Sequence, residues 1–200
     1  DMLERALAIA ERAYGRDHAN VAITLKNLGN AYGALGDHAK KLELQERALT
    51  IEERQYGRDH IEIAPTLATI GVAHKDFGAT DKARDYLERA SAIFERAYGP
   101  DHGYSQQCRR ILDDARADLE YPLRGAAGRG DVDAITRLLD DGAEVNTEIN
   151  GKTALYFACE KGHVDAARLL LEKGAEVDRA DEDGATPLWS ACYGGRVDVA

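Results

Sequence analysis

His18, His60 and His102 stand 42 residues apart, and each directly follows an aspartate, Asp17, Asp59 and Asp101. Imidazole and carboxylate are metal-ligand types, so three such pairs in register would form a metal site if the copies could converge. A fixed period works against convergence, because units of a linear array lie one after another along an axis. No carboxylate–thiol cluster joins the pairs. They read as loop residues, with the aspartates suited to capping the helices that follow. His38, His74 and His163 are isolated, and His163 falls at a Gly-His turn. Cys159 and Cys192 are 33 residues apart and read as equivalent small buried positions rather than nucleophiles. Cys108 has no partner at metal-ligand spacing. The chain offers no Ser-His-Asp arrangement, phosphate-cradling glycine loop or paired acid–base carboxylates. No catalytic, cofactor-binding or metal-binding residue is assigned, and the chain reads as a non-enzyme.

Composition narrows the partners. The 200 residues are 44% hydrophobic, 31% charged and 6% aromatic, an ordinary soluble composition. With 26 Lys/Arg against 36 Asp/Glu the net charge is −10, and no basic stripe is present. That argues against nucleic acid and against anionic membranes. No small-molecule substrate is implied. Three widely spaced cysteines fit a reducing compartment, and no apolar run reaches membrane-spanning length, so a cytoplasmic (intracellular) location is expected. The chain starts at Asp1 inside one repeat and stops at Ala200 inside another, as expected for a piece of a longer protein in which targeting signals could lie elsewhere.

The elements around the histidines explain the period. Glu-Arg-x-Tyr-Gly-x-Asp-His is read at Glu11–His18, Glu53–His60 and Glu95–His102. Between copies, Leu25, Leu28, Ala31, Tyr32 and Leu35 recur at three- and four-residue steps, one apolar helix face. Gly36-Asp37 breaks and re-caps the chain. A second helix carries Leu44, Ala48, Ile51 and Gln55 as one stripe, matched by Met2, Ala6, Ile9, Ala13 and by Tyr86, Ala90, Ile93, Ala97. This pattern resembles the tetratricopeptide repeat (TPR) in the 42-residue form found in kinesin light chains. Leu28, Gly29, Tyr32, Gly36 and Ala48 match in one repeat; Ile70, Gly71, Gly78, Ala83, Leu87 and Ala90 match in the next. Lys41, Gln45 and His74 depart from the pattern. The expected organisation over 1–120 is a trailing helix at 1–14, complete units at about 20–57 and 62–99, and a capping helix at 104–120. In that cap Arg109 and Asp113 replace apolar or small residues, while Leu112 and Ala115 keep the contacts.

The TPR resemblance implies a concave groove for an extended or helical peptide. Carried onto this chain, its positions are Ile23, Lys26, Asn27, Asn30, Thr69, Val72, Gln107 and Arg110. Lys26 and Asn30 match two positions of the carboxylate clamp with which some TPR domains hold a chaperone's C-terminal tail. Thr69, Gln107 and Ile111 fail the other three. The groove is therefore expected to take an acidic or amide-anchored peptide.

From Tyr121 the pattern changes. Gly151-Lys-Thr-Ala-Leu-Tyr-Phe-Ala-Cys recurs 33 residues on as Gly184-Ala-Thr-Pro-Leu-Trp-Ser-Ala-Cys, and Leu138-Leu139-x-x-Gly142-Ala143 recurs as Leu170-Leu171-x-x-Gly174-Ala175. This resembles the ankyrin repeat. Its expected copies are 121–149, 150–181 and a truncated 182–200, whose second helix stops after Val197-Asp-Val-Ala. Tyr156 and Trp189 stand where the family usually has histidine. The resemblance places partner-facing positions at Ile149, Asn150, Lys152, Glu160 and Lys161, and again at Glu182, Asp183, Ala185, Tyr193 and Gly194. The acidic finger Asp178–Asp183 is expected to meet a basic partner.

The fold class expected is mainly α: a TPR helical-hairpin solenoid joined to an ankyrin block of helix pairs with short β-hairpin fingers. The function expected is a non-catalytic protein–protein interaction scaffold or adaptor that binds other proteins or peptides. Two alternatives are the recognition arm of a larger signalling protein or enzyme, such as a nucleotide-binding ATPase, and a kinesin-light-chain-like cargo adaptor. The latter would demand an upstream coiled coil.

Overall fold

The computed structural model describes residues 2–196, 198 and 199. Val197 and Ala200, where the truncated second helix of the third ankyrin-like copy is expected, lie outside the described residues. The fold is mainly α, a solenoid of helix pairs with a minimal sheet. Contacts divide the chain into two compact units, Asp1–Ala115 and Arg116–Ala200.

The first unit contains α1 (Met2–Tyr14), α2 (Ala19–Ala34), α3 (His38–Tyr56), α4 (Ala64–Asp76) and α5 (Thr80–Tyr98). A 3₁₀ turn at Ile61–Ile63 precedes α4, and α6 (Gly103–Glu120) follows α5. The pairs α2/α3 and α4/α5 pack as antiparallel hairpins. Leu25, Leu28, Leu44, Ala48 and Ile51 are buried in the first, with Val21 and Ala22. Leu67, Ile70, Ala83, Leu87, Ala90 and Ile93 fill the second, closed by Cys108, Leu112 and Ala115 of α6. Each fully buried Leu or Ile contributes about 1.5–3 kcal/mol of transfer free energy, which is what holds short helices that would be marginal alone. Gly57 ends α3 at φ 93°, a conformation costly for any residue with a Cβ.

One stripe faces the other way. Met2 is 85% and Ile9 65% exposed, and Ala13 is exposed too. The counterparts of Met2 and Ile9 (Leu44 and Ile51 in α3, Tyr86 and Ile93 in α5) are buried or half-buried in their hairpins, whereas those of Ala13 (Gln55 and Ala97) are exposed as it is; no described helix precedes α1. Instead α1 meets the next hairpin through Leu3, Leu7 and Ala10.

The recurring motif is the joint between repeats. Arg89 of α5 lies 2.7 Å from Glu53, and one period earlier Arg47 pairs with Glu11. Likewise Arg54 pairs with Asp17 at 3.0 Å, and Arg96 donates to the Asp59 carbonyl. The capping expectation needs correction. Histidine, not aspartate, caps each following helix: His18, His60 and His102 accept through Nδ1 the N–H of Asn20, Glu62 and Tyr104 at 3.1, 3.3 and 3.3 Å. Asp17, through its carboxylate, and Asp59, through its carbonyl, are instead held by arginines of the neighbouring repeat.

The second unit contains α7 (Pro122–Arg129), α8 (Val132–Asp140), β1 (Glu148–Ile149), β2 (Lys152–Thr153), α9 (Ala154–Lys161), α10 (Val164–Glu172) and α11 (Pro187–Tyr193). Strands β1 and β2 form an antiparallel hairpin pairing Glu148 with Thr153 and Ile149 with Lys152. Its turn is Asn150-Gly151, with φ of 52° and 75°, the positive pair such a two-residue turn requires. Thr153 and Thr186 cap α9 and α11, accepting the amides of Tyr156 and Trp189. Ile135, Leu155, Ala158 and Leu170 lie in the core between helix pairs. His163 links neighbouring repeats, its Nε2 lying 3.1 Å from the Gly128 carbonyl oxygen. Cys192 is exposed where burial is expected, whereas Cys159 is buried. Helix α11 packs against α9 and covers that side, and no described helix does the same for α11.

Candidate functional site

The first unit holds a cavity of ≈ 530 Å³. Its wall comes from the 3₁₀ turn and the N-terminal half of α4 (Ile61, Pro65, Ala68, Thr69, Val72), the end of α5 (Phe94, Tyr98) and α6 (Tyr104, Gln107, Cys108, Ile111). Phe94 is buried, and Tyr98 and Tyr104 stand partly in solvent. The rings contact one another: Phe94 and Tyr104 centroids are 5.7 Å apart, and Tyr98 stacks on His102 at 4.6 Å. The only charges on the wall are Lys41 and Glu62. A cavity of this size with an aromatic rim suits a bulky apolar side chain.

The structure divides the eight groove residues expected from sequence. Thr69, Val72 and Gln107 line the cavity. Arg110 is exposed and is not part of its wall. Ile23, Lys26, Asn27 and Asn30 lie on α2, one repeat earlier. Ile23 is 53% exposed, and Asn27 and Asn30 are exposed. Lys26 is engaged internally: its Nζ donates to Glu52 Oε1 at 2.5 Å. Gln45, buried at 3% exposure, donates to Asn30 Oδ1 at 3.2 Å.

Phe94, Tyr98, Tyr104, Ile61, Pro65 and Ile111 were not among the expected groove residues. A comparison of copies would have marked Phe94 and Tyr104 as changed positions, but not Tyr98, which matches Tyr14 and Tyr56. Glu52 corresponds to Phe94 and Glu62 to Tyr104 across the 42-residue step, and such polar-to-aromatic exchanges mark a changed surface.

In the second unit the partner-facing positions fare unevenly. Asn150, Glu182, Asp183, Tyr193 and Gly194 are exposed, and Glu160 is half-buried beside Lys161 at 3.3 Å. Ile149 and Lys152 line a smaller cavity of ≈ 220 Å³ with Tyr121, Leu138 and Thr147. Lys152 Nζ lies 3.7 Å from Asp181 and 5.0 Å from the Tyr156 ring centroid. Ala185 is buried and cannot face a partner. The acidic finger is less acidic outward than its sequence reads. Asp181 turns inward, accepting the amides of Asp183 and Ala185 at 3.0 and 2.9 Å. The Ala185 amide, then that of Asp183 and the nearby Lys152, hold its carboxyl below the usual aspartate value. Arg179 pairs with Glu148 at 2.7 Å and Glu176 at 3.2 Å.

Cys108 and Cys159 are buried, which pushes both thiols up to about 11. They are poor nucleophiles near neutral pH. Among the described residues no three His, Cys, Asp or Glu side chains come together to hold a metal ion, and no helix is long and apolar enough to cross a membrane.

Stacked helix hairpins followed by helix pairs with β fingers define a helical-repeat protein. The tetratricopeptide repeat model matches residues 1–40 and 34–96, and the model described as ankyrin repeats (3 copies) matches residues 122–200. The chain carries tetratricopeptide repeats followed by ankyrin repeats, both generic protein–protein interaction modules. No curated protein gives a significant match. Among solved structures, the human ASB11 ankyrin repeat domain is 42% identical, with a TM-score of 0.38, over 39% of this chain. The match spans 36% of that structure's chain.

Proposed function

We propose that the chain is a non-catalytic, cytoplasmic interaction scaffold whose tetratricopeptide groove holds an extended segment of a partner protein by one bulky apolar side chain. The cavity at α4, α5 and α6 carries this reading, with its rim of Phe94, Tyr98 and Tyr104. Desolvating one large aromatic or aliphatic side chain there would supply the anchor that dominates many interfaces. The net charge of −10 and the absence of a basic stripe favour a protein segment over nucleic acid or a bilayer. The ankyrin unit presents a separate face at Asn150, Glu182, Asp183 and Tyr193, so two partners can be held on one chain with a gain in effective concentration. Within the tetratricopeptide class we assign the repeats to the 42-residue form shared with kinesin light chains, without extending that to motor cargo.

The test is peptide display against the whole chain, followed by anisotropy titration of the selected peptides. Selected peptides should share a Trp, Phe, Leu or Met, and Thr69→Trp, which fills the cavity, should weaken them at least tenfold while leaving the circular dichroism unchanged. Peptides that bind Thr69→Trp as tightly as the native chain would remove the reading.

A further inference from the structure

The two charges on the cavity wall stand toward opposite ends of α4. Glu62 lies just before the helix, and Tyr104 holds the equivalent position before the body of α6, its ring 6.3 Å from that of Tyr98. Both tyrosines are about half exposed at this end. Lys41 reaches the wall from α3. It also lines, with Val72, Ala73, Asp76 and Phe77, a second cavity of ≈ 310 Å³ beside the C-terminal half of α4. At about 1.5 Å per residue, positions 62 and 72 are roughly 15 Å apart along the helix. The groove is therefore negative where α4 begins and positive toward where it ends.

Neither charge is neutralised within the chain. Among the described residues the Lys41 ammonium and the Glu62 carboxylate form no ion pair and no hydrogen bond, and Asp76 borders the second cavity without pairing with Lys41. The adjacent Lys40, by contrast, meets Glu43 at 2.8 Å. Lys41 also sits near the start of α3, where the helix dipole disfavours a cation. Its stem lies against a glycine: a Cβ at Gly33 would stand 2.7 Å from Lys41 Cδ. One period later the pair is exchanged, with Lys75 at the position of Gly33 and Ala83 at that of Lys41. There the lysine is engaged by Asp114 at 2.7 Å. Lys41 thus brings to the cavity a cation that the fold itself does not use.

We propose that the groove selects a dipolar segment, in which an Asp or Glu carboxylate meets Lys41 and a Lys or Arg side chain meets Glu62 and the rings of Tyr98 and Tyr104, with the apolar anchor between them. This rests on the groove reading above and adds which segment the groove takes. A cation suits the Glu62 end because a carboxylate and aromatic faces both attract it. A carboxylate suits the other end because the half-buried Lys41 stem has less freedom to lose on pairing than an exposed one. An extended chain advances about 3.3 Å per residue, so the two charged side chains should stand roughly four or five residues apart. The acidic part of the acidic-or-amide expectation thereby moves from Lys26, which Glu52 already holds, to Lys41.

The experiment titrates the whole chain with terminally blocked peptides that share one apolar anchor. They carry Glu and Lys four or five residues apart on either side of it, in both orders, or Gln at both positions. One order should bind about fivefold tighter than the Gln peptide at low salt, as two partly exposed ion pairs imply. The advantage should vanish at about 1 M salt, and the opposite order should bind no better than Gln. Lys41→Glu should abolish the preference, and a peptide with Lys in place of its Glu should restore it. Glu62→Lys should likewise be restored by a peptide with Glu in place of its Lys. Recovery by the swapped charge also shows that each variant is folded. Peptides that bind in a Thr69→Trp-sensitive way yet equally well with Gln at both positions would overturn the dipolar segment and leave the groove standing. A charge effect confined to one end would overturn it too. If no anchored peptide binds, both the dipolar segment and the groove fall.

Discussion

The ring of His60 stacks on Tyr56 with centroids 5.3 Å apart, while its Nδ1 accepts the amide proton of Glu62 at 3.3 Å. The same pairing occurs at Tyr14–His18 and Tyr98–His102. Each histidine thus caps one helix and packs on the end of the one before it. His60→Ala should cost about 1 kcal/mol, the ordinary loss of an N-cap. His60→Asn, which keeps an acceptor, should recover most of the cap. Urea midpoints of the three proteins check this, and equal losses for Ala and Asn would show that the stack, not the cap, holds the joint.

These pairs also explain what the sequence made legible. A period is visible because a joint must be rebuilt identically at each step, and Tyr-Gly-x-Asp-His is that joint. The helices between were legible for the same reason, since their apolar steps repeat. The groove was legible only in part. Lys26 and Asn30 are noticeable because they are polar on the first helix of a pair, but their meaning depends on Glu52, which arrives from the second helix. The aromatic rim was hidden for the same cause: Phe94, Tyr98 and Tyr104 come from two elements, and only packing brings them together. Cys192 reads like Cys159 in sequence, yet its burial depends on what packs against α11 rather than on its own position.

Gly71 separates α4 from α5 by less than a methyl group allows. A Cβ built there would stand 2.7 Å from Leu87 Cγ and 3.3 Å from the Ala83 carbonyl oxygen. At Gly29, its counterpart, the nearest atoms are 3.2 and 3.4 Å away. Exchanging Gly for Ala within a helix gains about 1 kcal/mol of propensity, against about 1–3 kcal/mol for overpacking a filled core. Gly71→Ala should therefore lower stability by up to roughly 2 kcal/mol, and Gly29→Ala should be near neutral. Thermal melts of the two variants would decide it, and a stabilised Gly71→Ala would mean that Leu87 can move aside.

The three thiols should react at very different rates. Cys192 is exposed, whereas burial raises Cys108 and Cys159 to about 11. Near neutral pH only about one in ten thousand of the buried groups would be thiolate, and reagent must also reach them. Native protein should give one fast equivalent with a disulfide reagent, Cys192→Ser should give none, and denaturant should expose the remaining two. Two fast equivalents in the native protein would place one helix pair in a partly open state.

Asp181 should make the ankyrin unit sensitive to acid. Its carboxylate accepts the Ala185 and Asp183 amides beside Lys152, and these interactions lower its pKa below the usual aspartate value. A lowered folded-state pKa stabilises the charged form. The contribution is full above the unfolded aspartate pKa of about 3.9 and is lost as pH falls through the folded value. The stability gap between native chain and Asp181→Ala should therefore be constant from neutral pH down to about pH 5 and narrow below about pH 4. Asp181→Asn keeps an oxygen for the amides but not the charge, so it should fall between the two at neutral pH and converge toward the native chain in acid. Melting temperatures over this range for the three proteins measure the gap directly. A gap that widens in acid would reverse the sign, and would mean that Asp181 is held more easily protonated in the fold than in the open chain.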